Sequence, residues 1–143
     1  MFIGEYSHTI DDKNRLSVPA KFRAGLADGC VITRGLDRCL WIYPKSDWVE
    51  FAKKIADLPI TQKNARSFSR LMLAGAVEEE LDKNGRIVLP KYLQEYAQIT
   101  TKVNVNGVYN RIEIWPENAW DEFKKTMEDN SNEIAENLDL IGF

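Results

Sequence analysis

Two D-x-x-x-R motifs are the residues of this chain whose types and spacing best suit a chemical task. The first runs from Asp11 to Arg15 and the second from Asp82 to Arg86. A carboxylate at the start of a turn can accept backbone N–H groups across it, and the arginine then opens the next strand at a fixed position. A held guanidinium loses less freedom on contact with phosphate oxygens or a guanine edge. The motifs therefore predict two turns whose arginines could meet nucleic acid.

The residues inside each motif fit a tight turn. Gly85 adopts a positive φ freely, and Asn14 occupies the corresponding place in the first motif, where asparagine is the best-tolerated alternative. The same left-handed residue is therefore expected in both turns. A simpler interpretation stays open, in which each Asp–Arg pair only locks its turn through a salt bridge. The expected turn-forming residues are Asp11, Asp82 and Gly85, and the expected DNA contacts are Arg15, Lys13, Asn14, Arg86 and Lys83.

The motifs belong to a longer internal repeat. Sliding the sequence by 71 residues superposes the first motif and Pro19 on the second motif and Pro90. A slide by 72 residues superposes Leu40-Trp41-Ile42-Tyr43-Pro44 on Ile112-Glu113-Ile114-Trp115-Pro116. The same slide superposes Gly35 on Gly107 and Trp48 on Trp120. Identical Pro, Trp, Asp, Arg and Gly residues in one order indicate a duplicated unit, with one residue inserted between its two blocks.

Each unit predicts the same order of elements. A strand leads into the motif, a short strand follows it, and the proline suits the first turn of a short helix. Two further strands precede a longer helix with an apolar stripe, for which Ser46 and Asn118 are the expected N-caps. The predicted strands are Tyr6–Ile10, Arg15–Val18, Val31–Arg34 and Cys39–Tyr43, and then Val77–Leu81, Arg86–Leu89, Val103–Asn106 and Arg111–Trp115.

The repeat also predicts the domain organisation. A unit of about 70 residues is near the lower limit for an independent core, so the two units should bury their strands together. We expect one pseudo-twofold domain over residues 1–143, of α+β class, as a pseudo-symmetric β-barrel with peripheral helices. Its expected parts are a first unit (1–58), a linking helix (59–74), a second unit (75–127) and an acidic C-terminal tail (128–143).

Charge is distributed unevenly along the chain. The net charge is −3, but residues 1–74 contain 12 Lys and Arg against 8 Asp and Glu, whereas residues 75–143 contain 7 against 14. Only the first half should therefore present a positive surface, which favours Arg15 over Arg86 as a DNA contact. A requirement for solubility alone would explain the same division.

Several classes of protein are disfavoured by what the chain lacks. The single histidine, His8, has no cluster of partners, and Glu78 to Glu80 would alternate between the faces of a strand. Cys30 and Cys39 are typical of a reducing compartment and form no metal-binding pair. No apolar run approaches the roughly 20 residues that span a bilayer, and the N-terminus lacks the features of a signal peptide. We expect a cytoplasmic protein that is not an enzyme and uses no cofactor, metal or small-molecule substrate.

The repeat comparison singles out Trp41. Cys39 and Trp41 stand on one face of a predicted strand where the second unit has Arg111 and Glu113. An apolar pair at positions that are charged in the sister unit predicts a buried contact made by one unit only. Two partners stay open for this contact: another subunit, which would make Trp41 and Cys39 an oligomer interface, or the chain's own helices.

The whole set of motifs resembles the MraZ family of bacterial transcriptional regulators. The resemblance rests on Phe2-x-Gly4, the paired D-x-x-x-R motifs, Arg34-Gly35-Leu36-Asp37, Ala65-Arg66 and Arg111-Ile112-Glu113-Ile114-Trp115, and it covers essentially the whole chain. The family usually has glycine at the position of Asn14.

The resemblance implies a fold, an assembly and a target. The fold would be a double-split barrel of two AbrB/MazE-like units, and the assembly would be a homo-oligomeric ring associated with the nucleoid. The ring would bind direct repeats upstream of the cell-division and cell-wall gene cluster, with Arg15 and Arg86 as the contacts to DNA. An alternative stays open, in which the chain is an oligomeric protein-interaction or antitoxin-like scaffold without direct DNA readout.

Overall fold

The computed structural model describes residues 1–143, and its elements follow one order twice. The first unit comprises β1 (Phe2–Thr9), β2 (Arg15–Ser17), α1 (Ala20–Arg23), β3 (Cys30–Arg34), β4 (Leu40–Pro44) and α2 (Lys45–Ala56). Helix α3 (Lys63–Ser69) follows and continues as a π-helical segment over Arg70–Ala74. The second unit comprises β5 (Val77–Glu79), β6 (Arg86–Val88), α4 (Lys91–Tyr96), β7 (Lys102–Tyr109), β8 (Arg111–Pro116) and α5 (Glu117–Asp129). Helix α6 (Ser131–Asn137) and a 3-10 turn (Leu138–Ile141) end the chain.

The strands of the two units are interleaved. One antiparallel sheet has six strands in the order β1-β7-β8-β4-β3-β5, and a separate ribbon pairs β2 with β6. The first strand of each unit pairs only with the third strand of the other unit, β1 with β7 and β5 with β3. Within the large sheet, each unit therefore pairs only its third and fourth strands with each other, β3 with β4 and β7 with β8. The predicted α+β class is confirmed, and β1 and β5 remain the outer strands of the six-stranded sheet.

The pairing has a pseudo-twofold centre. In the ribbon, Leu16 pairs with Ile87, its own counterpart in the repeat. In the large sheet, Trp41 pairs with Glu113, which is again its counterpart. Equivalent residues can face each other in antiparallel strands only at a symmetry axis, so one pseudo-twofold axis passes through both pairs.

The main core lies between the ribbon and the inner face of the large sheet. Side chains alternate along a strand, so one face of each strand is apolar and buried. Leu16 and Ile87 are 0% and 1% exposed. Phe22 of α1 packs edge-to-face on the rings of Phe2 and Tyr6. None of the helices is long and apolar enough to cross a bilayer.

A second cluster covers the outer face of β4 and β8. Trp41 is 8% exposed and Cys39 is fully buried. The ring of Phe51 in α2 lies 6.0 Å from that of Trp41, and Met72, which follows α3, belongs to the same cluster. The guanidinium of Arg111 lies 4.7 Å from the Trp41 ring. Of the two partners left open for Trp41 and Cys39, the chain's own helices therefore make a contact here, and an oligomer interface at these residues stays a prediction.

The ends of several elements differ from the predicted ones. Helices α2 and α5 begin directly after Pro44 and Pro116, so Ser46 and Asn118 lie within the first turn and the predicted N-caps are wrong. The prolines, at φ of −55° and −56°, already supply the helical entry geometry. Strand β1 begins at Phe2 rather than at Tyr6, because all eight of its residues pair with β7.

Candidate nucleic-acid interface

The first D-x-x-x-R motif forms a closed turn around the Asp11 carboxylate. Oδ1 of Asp11 accepts the backbone N–H groups of Lys13 and Arg15, each at 2.9 Å. Oδ2 accepts Nε–H of the Arg15 guanidinium at 2.7 Å. Asn14 has a φ of 62°, and its N–H donates to the backbone oxygen of Asp11. One carboxylate therefore holds both the backbone of the turn and the side chain of the arginine.

The second motif repeats this geometry. Oδ1 of Asp82 accepts the backbone N–H groups of Asn84 and Arg86, and Oδ2 accepts Nε–H of Arg86, all at 2.9 Å. Gly85 has a φ of 75°. The predicted left-handed residue at positions 14 and 85 is confirmed, and so is the predicted acceptance of backbone N–H groups by both aspartates.

The hydrogen bonds fix the charge of the turn carboxylates. The backbone N–H of Arg15 is the main cause that lowers the pKa of Asp11, and its guanidinium adds to the effect. The backbone N–H and guanidinium of Arg86 lower the pKa of Asp82 in the same way. Both carboxylates therefore remain ionised at neutral pH, where they can hold the arginines.

The arginine side chains are held by one nitrogen each, and their other nitrogens have no hydrogen-bond partner in the chain. Only Nε of each guanidinium bonds to the aspartate, and the terminal nitrogens of Arg15 and Arg86 make no hydrogen bond within the chain. The side chains are 27% and 28% exposed, respectively. The locking salt bridge thus exists, and it leaves the part of each guanidinium that recognises phosphate or guanine free.

The ribbon brings the two arginines onto one surface. Arg15 pairs with Val88 and Ser17 pairs with Arg86, so the buried Leu16 and Ile87 point inward and the four paired residues point outward. Main-chain bonds from Leu89 to Asn14 and from Val18 to Gly85, at 2.8 and 2.9 Å, extend the ribbon into both turns. A two-stranded ribbon is narrow enough to enter the major groove of B-DNA.

The remaining predicted contacts differ in their surroundings. Lys13 and Lys83 are exposed turn residues beside the arginines. Asn14 is half-buried, and its Oδ1 accepts a hydrogen bond at 3.1 Å from Nε2 of Gln94. Gly85 is buried beneath the side chain of Arg23. The structure therefore brings all eight predicted turn and contact residues to the ribbon and its two ends.

Arg23 and Gln94 were not predicted as part of this surface. Nε of Arg23 donates to the backbone oxygen of Val18 at 2.9 Å, and Nε2 of Gln94 donates to that of Leu89 at 2.7 Å. A slide of 71 residues superposes Arg23 on Gln94 and Val18 on Leu89. The same repeat comparison that revealed the motifs therefore contained the signal that could have identified this pair.

The cysteines lie away from this surface. Cys30 and Cys39 are free and buried. Burial raises the pKa of the Cys30 thiol to about 12, and it raises the pKa of the Cys39 thiol as well. Both thiols are therefore protonated at neutral pH. No group of three or more His, Cys, Asp or Glu side chains has an arrangement that could hold a metal ion.

Comparison with known proteins matches both halves of the chain to one family. The family model described as "MraZ protein, putative antitoxin-like" matches residues 1–71 and again residues 72–141. A "Transcriptional regulator MraZ" of Natranaerobius thermophilus is 49% identical over 138 residues, which cover 96% of each chain. Proteins of the same name from Desulforamulus reducens and Caldanaerobacter subterraneus subsp. tengcongensis are 46% and 48% identical. The alignments cover 99% and 97% of this chain, and 100% and 97% of those relatives.

Proposed function

Because the chain belongs to the MraZ family, we propose that it is a transcriptional regulator that binds DNA through the β2–β6 ribbon and the turns at its two ends. The observation that carries this proposal is the pair of aspartate-held arginines on one outward face. Each guanidinium is oriented through Nε and keeps its terminal nitrogens for a ligand. Such a group loses little side-chain freedom on binding.

The proposed contacts divide by chemistry. Arg15 and Arg86 reach guanine edges or phosphates from the ribbon, and Lys13 and Lys83 neutralise phosphates on either side. Asn14 offers its amide nitrogen, because its oxygen already accepts from Gln94. Asp11, Asp82 and Gly85 shape the turns and do not touch DNA themselves.

The proposal extends to the assembly and the target. One ribbon makes few contacts, so a homo-oligomeric ring that faces evenly spaced boxes would gain affinity by avidity, roughly 10²–10⁴-fold where the geometry permits. The proposed targets are direct repeats upstream of the cell-division and cell-wall gene cluster, and the proposed location is the cytoplasm, at the nucleoid. No enzymatic activity is part of the proposal.

The domain organisation within this proposal follows the repeat. Residues 1–58 and 75–127 are the two AbrB-like units, residues 59–74 link them, and residues 128–143 form the acidic tail. The ribbon and the six-stranded sheet would together make the double-split barrel around their shared core.

The test is a binding measurement on DNA selected for affinity. Duplexes that the protein retains from a random pool supply the probe, and fluorescence anisotropy at one fixed salt concentration supplies the affinity. Arg15→Ala and Arg86→Ala should each cost about 1–3 kcal/mol per site if the arginine meets a base. Arg70→Ala is the matched control, since Arg70 is an exposed arginine outside the ribbon.

Two results would overturn the proposal. One is unaltered affinity in both ribbon variants. The other is a preparation from gently lysed cells that carries a stoichiometric protein partner and no nucleic acid, which would favour the antitoxin-like scaffold.

A further inference from the structure

The two turns differ in the side chain that the other unit places on them. Gln94 of the second unit lies beside the first turn, is 6% exposed and bonds to Asn14. Arg23 of the first unit lies against the second turn and is exposed. One turn therefore has a buried neutral amide as its neighbour, and the other has an exposed cation.

Gly85 is matched to Arg23. A Cβ added at residue 85 would lie 2.6 Å from Cζ of the Arg23 guanidinium, so a side chain there would push the guanidinium away. The first turn has a side chain at the same place, Asn14, and its partner Gln94 hydrogen-bonds to it. The space beside each turn is thus filled in one of two ways: by Arg23 over Gly85 in the second turn, or by Gln94 bonded to Asn14 in the first.

This difference changes the charge of the two turns. The first turn carries Lys13 and Arg15 against two aspartates, Asp11 and Asp12, which gives a net charge of zero. The second carries Lys83 and Arg86 against Asp82 alone, and Arg23 raises its net charge to +2. Part of the positive charge of the first half of the sequence, that of Arg23, therefore lies at the turn of the second half.

We propose that Arg23 is a further DNA-contacting residue and makes the second turn the stronger phosphate-binding corner of the molecule. The proposal rests on the proposed DNA binding. Its geometric basis is the bond from Nε to the backbone oxygen of Val18, which orients the guanidinium as the aspartates orient the motif arginines. The terminal nitrogens of Arg23 make no hydrogen bond within the chain and are free to bind phosphate.

The first test removes this charge and keeps its anchoring bond. Arg23→Gln substitutes the side chain that the sister unit already uses, so its amide can still donate to Val18. One phosphate contact fewer should reduce the slope of log K against log salt by about 0.9 and weaken binding roughly fivefold near 0.15 M salt. The probe is a duplex with a single selected box, so that the slope reports one bound subunit.

Lys21→Gln is the matched control for that variant. Lys21 is exposed on the same short helix, two residues from Arg23, and lies away from the turn, next to Ile3 and Tyr6. The same loss of one charge should therefore leave the salt slope as it is.

The second test transplants the arrangement. Asn14→Gly with Gln94→Arg gives the first turn the same glycine and arginine as the second, and it should raise the salt slope by about 0.9. This gain keeps the proposal testable even if Arg23→Gln lowers the melting temperature.

Three results would overturn the role of Arg23: an unchanged slope in Arg23→Gln, an equal loss of slope in Lys21→Gln, or no gain in the transplant. The proposed function would fail separately, by unaltered affinity in Arg15→Ala and Arg86→Ala. If those two variants weaken binding and Arg23→Gln does not, only the proposal about Arg23 is wrong.

Discussion

Each motif arginine binds the aspartate of its turn through Nε and leaves its terminal guanidinium nitrogens without a hydrogen bond in the chain. Nε of Arg15 and Arg86 bonds to the aspartate that also closes the backbone of the turn. The side chain is therefore placed by the same group that sets the main chain. A contact from such a residue needs less ordering than one from a free surface arginine, because part of the rotamer entropy is already lost in the folded protein.

The turn carboxylates should titrate at unusually low pH. Hydrogen bonds from the backbone and guanidinium of Arg15 and Arg86 lower the pKa of Asp11 and Asp82 below the ordinary 3.8. The unfolded chain then binds these protons more readily, so the stabilisation is complete above pH 3.8 and is lost as the pH falls through the folded-state pKa values. Carboxyl-carbon NMR titration of the folded protein measures both midpoints.

Glu79 provides an internal control of opposite sign. Burial raises the pKa of this carboxyl above its ordinary 4.5, so its midpoint should lie above that value in the same titration. Midpoints of Asp11 and Asp82 at or above 3.8 would contradict the hydrogen-bonded turns.

The strand exchange is the main feature at the scale of elements. Strand β1 belongs to the first unit by sequence, but its partner is β7 of the second unit over its whole length. The two short strands β2 and β6 pair with each other. The ribbon that carries both arginines is therefore built from one strand of each unit, and its outward face depends on both.

Gly107→Ala should detach the end of β1 from the sheet. A Cβ at residue 107 would lie 2.5 Å from the backbone nitrogen of Ile3 and 2.5 Å from the carbonyl carbon of Phe2, and neither main-chain atom can rotate away. Either the two strands separate or the chain bends, so we expect a loss of stability of about 1–3 kcal/mol, as for other overpacked sites. Urea denaturation measures it.

Gly142→Ala is a comparison for that substitution, because nothing lies within 4 Å of a Cβ at residue 142. Its φ of 79° is strained for alanine, so this variant reports the backbone cost of a Gly→Ala change without a steric contact. A Gly107→Ala protein as stable as the unsubstituted chain would show that β1 and β7 do not approach as closely as described.

At the scale of the whole molecule, the two units cannot be separated without exposing the core. Strands β1, β3 and β4 of residues 1–74 pair with β7, β5 and β8 of residues 75–143, and only the β3–β4 and β7–β8 pairs of the large sheet lie within one half. Leu16 and Ile87 are buried against the same shared core. We therefore expect the two units to fold and unfold together around their shared core.

Each half, expressed alone, should be unfolded as a monomer. Residues 1–74 and residues 75–143 each lose the pairing of an outer strand and half of the ribbon, so too little apolar surface is buried to offset the conformational entropy. An equimolar mixture should regain the secondary structure of the intact chain. Circular dichroism measures the folding, and sedimentation equilibrium reports the association state.

A half could also fold by pairing with a second copy of itself across the pseudo-twofold axis, and its folding would then depend on concentration. This is harder for residues 75–143, because two copies of Glu113 would meet where Trp41 and Glu113 pair in the intact chain. A cooperative melt from a monomeric half would contradict the interleaved sheet.

Sequence alone determined the features that depend on near neighbours along the chain. The duplication and the order of elements could be read from patterns that recur along the chain. The turn chemistry could be read because an aspartate, a left-handed residue and an arginine interact within five residues. The same locality explains the apolar stripe of α2, where Ile55 is buried and Trp48 and Phe51 pack against the same cluster.

Only the tertiary structure decided which distant residues meet. It showed that β1 pairs along its full length with the other unit, and that α2 and the residues after α3 cover Trp41. It also showed that Gln94 bonds to Asn14 from 80 positions away, while Arg23 covers Gly85. Periodicity reports which face of an element is apolar, but the partner of that face is chosen by packing between segments far apart in the chain, and no local pattern contains that choice.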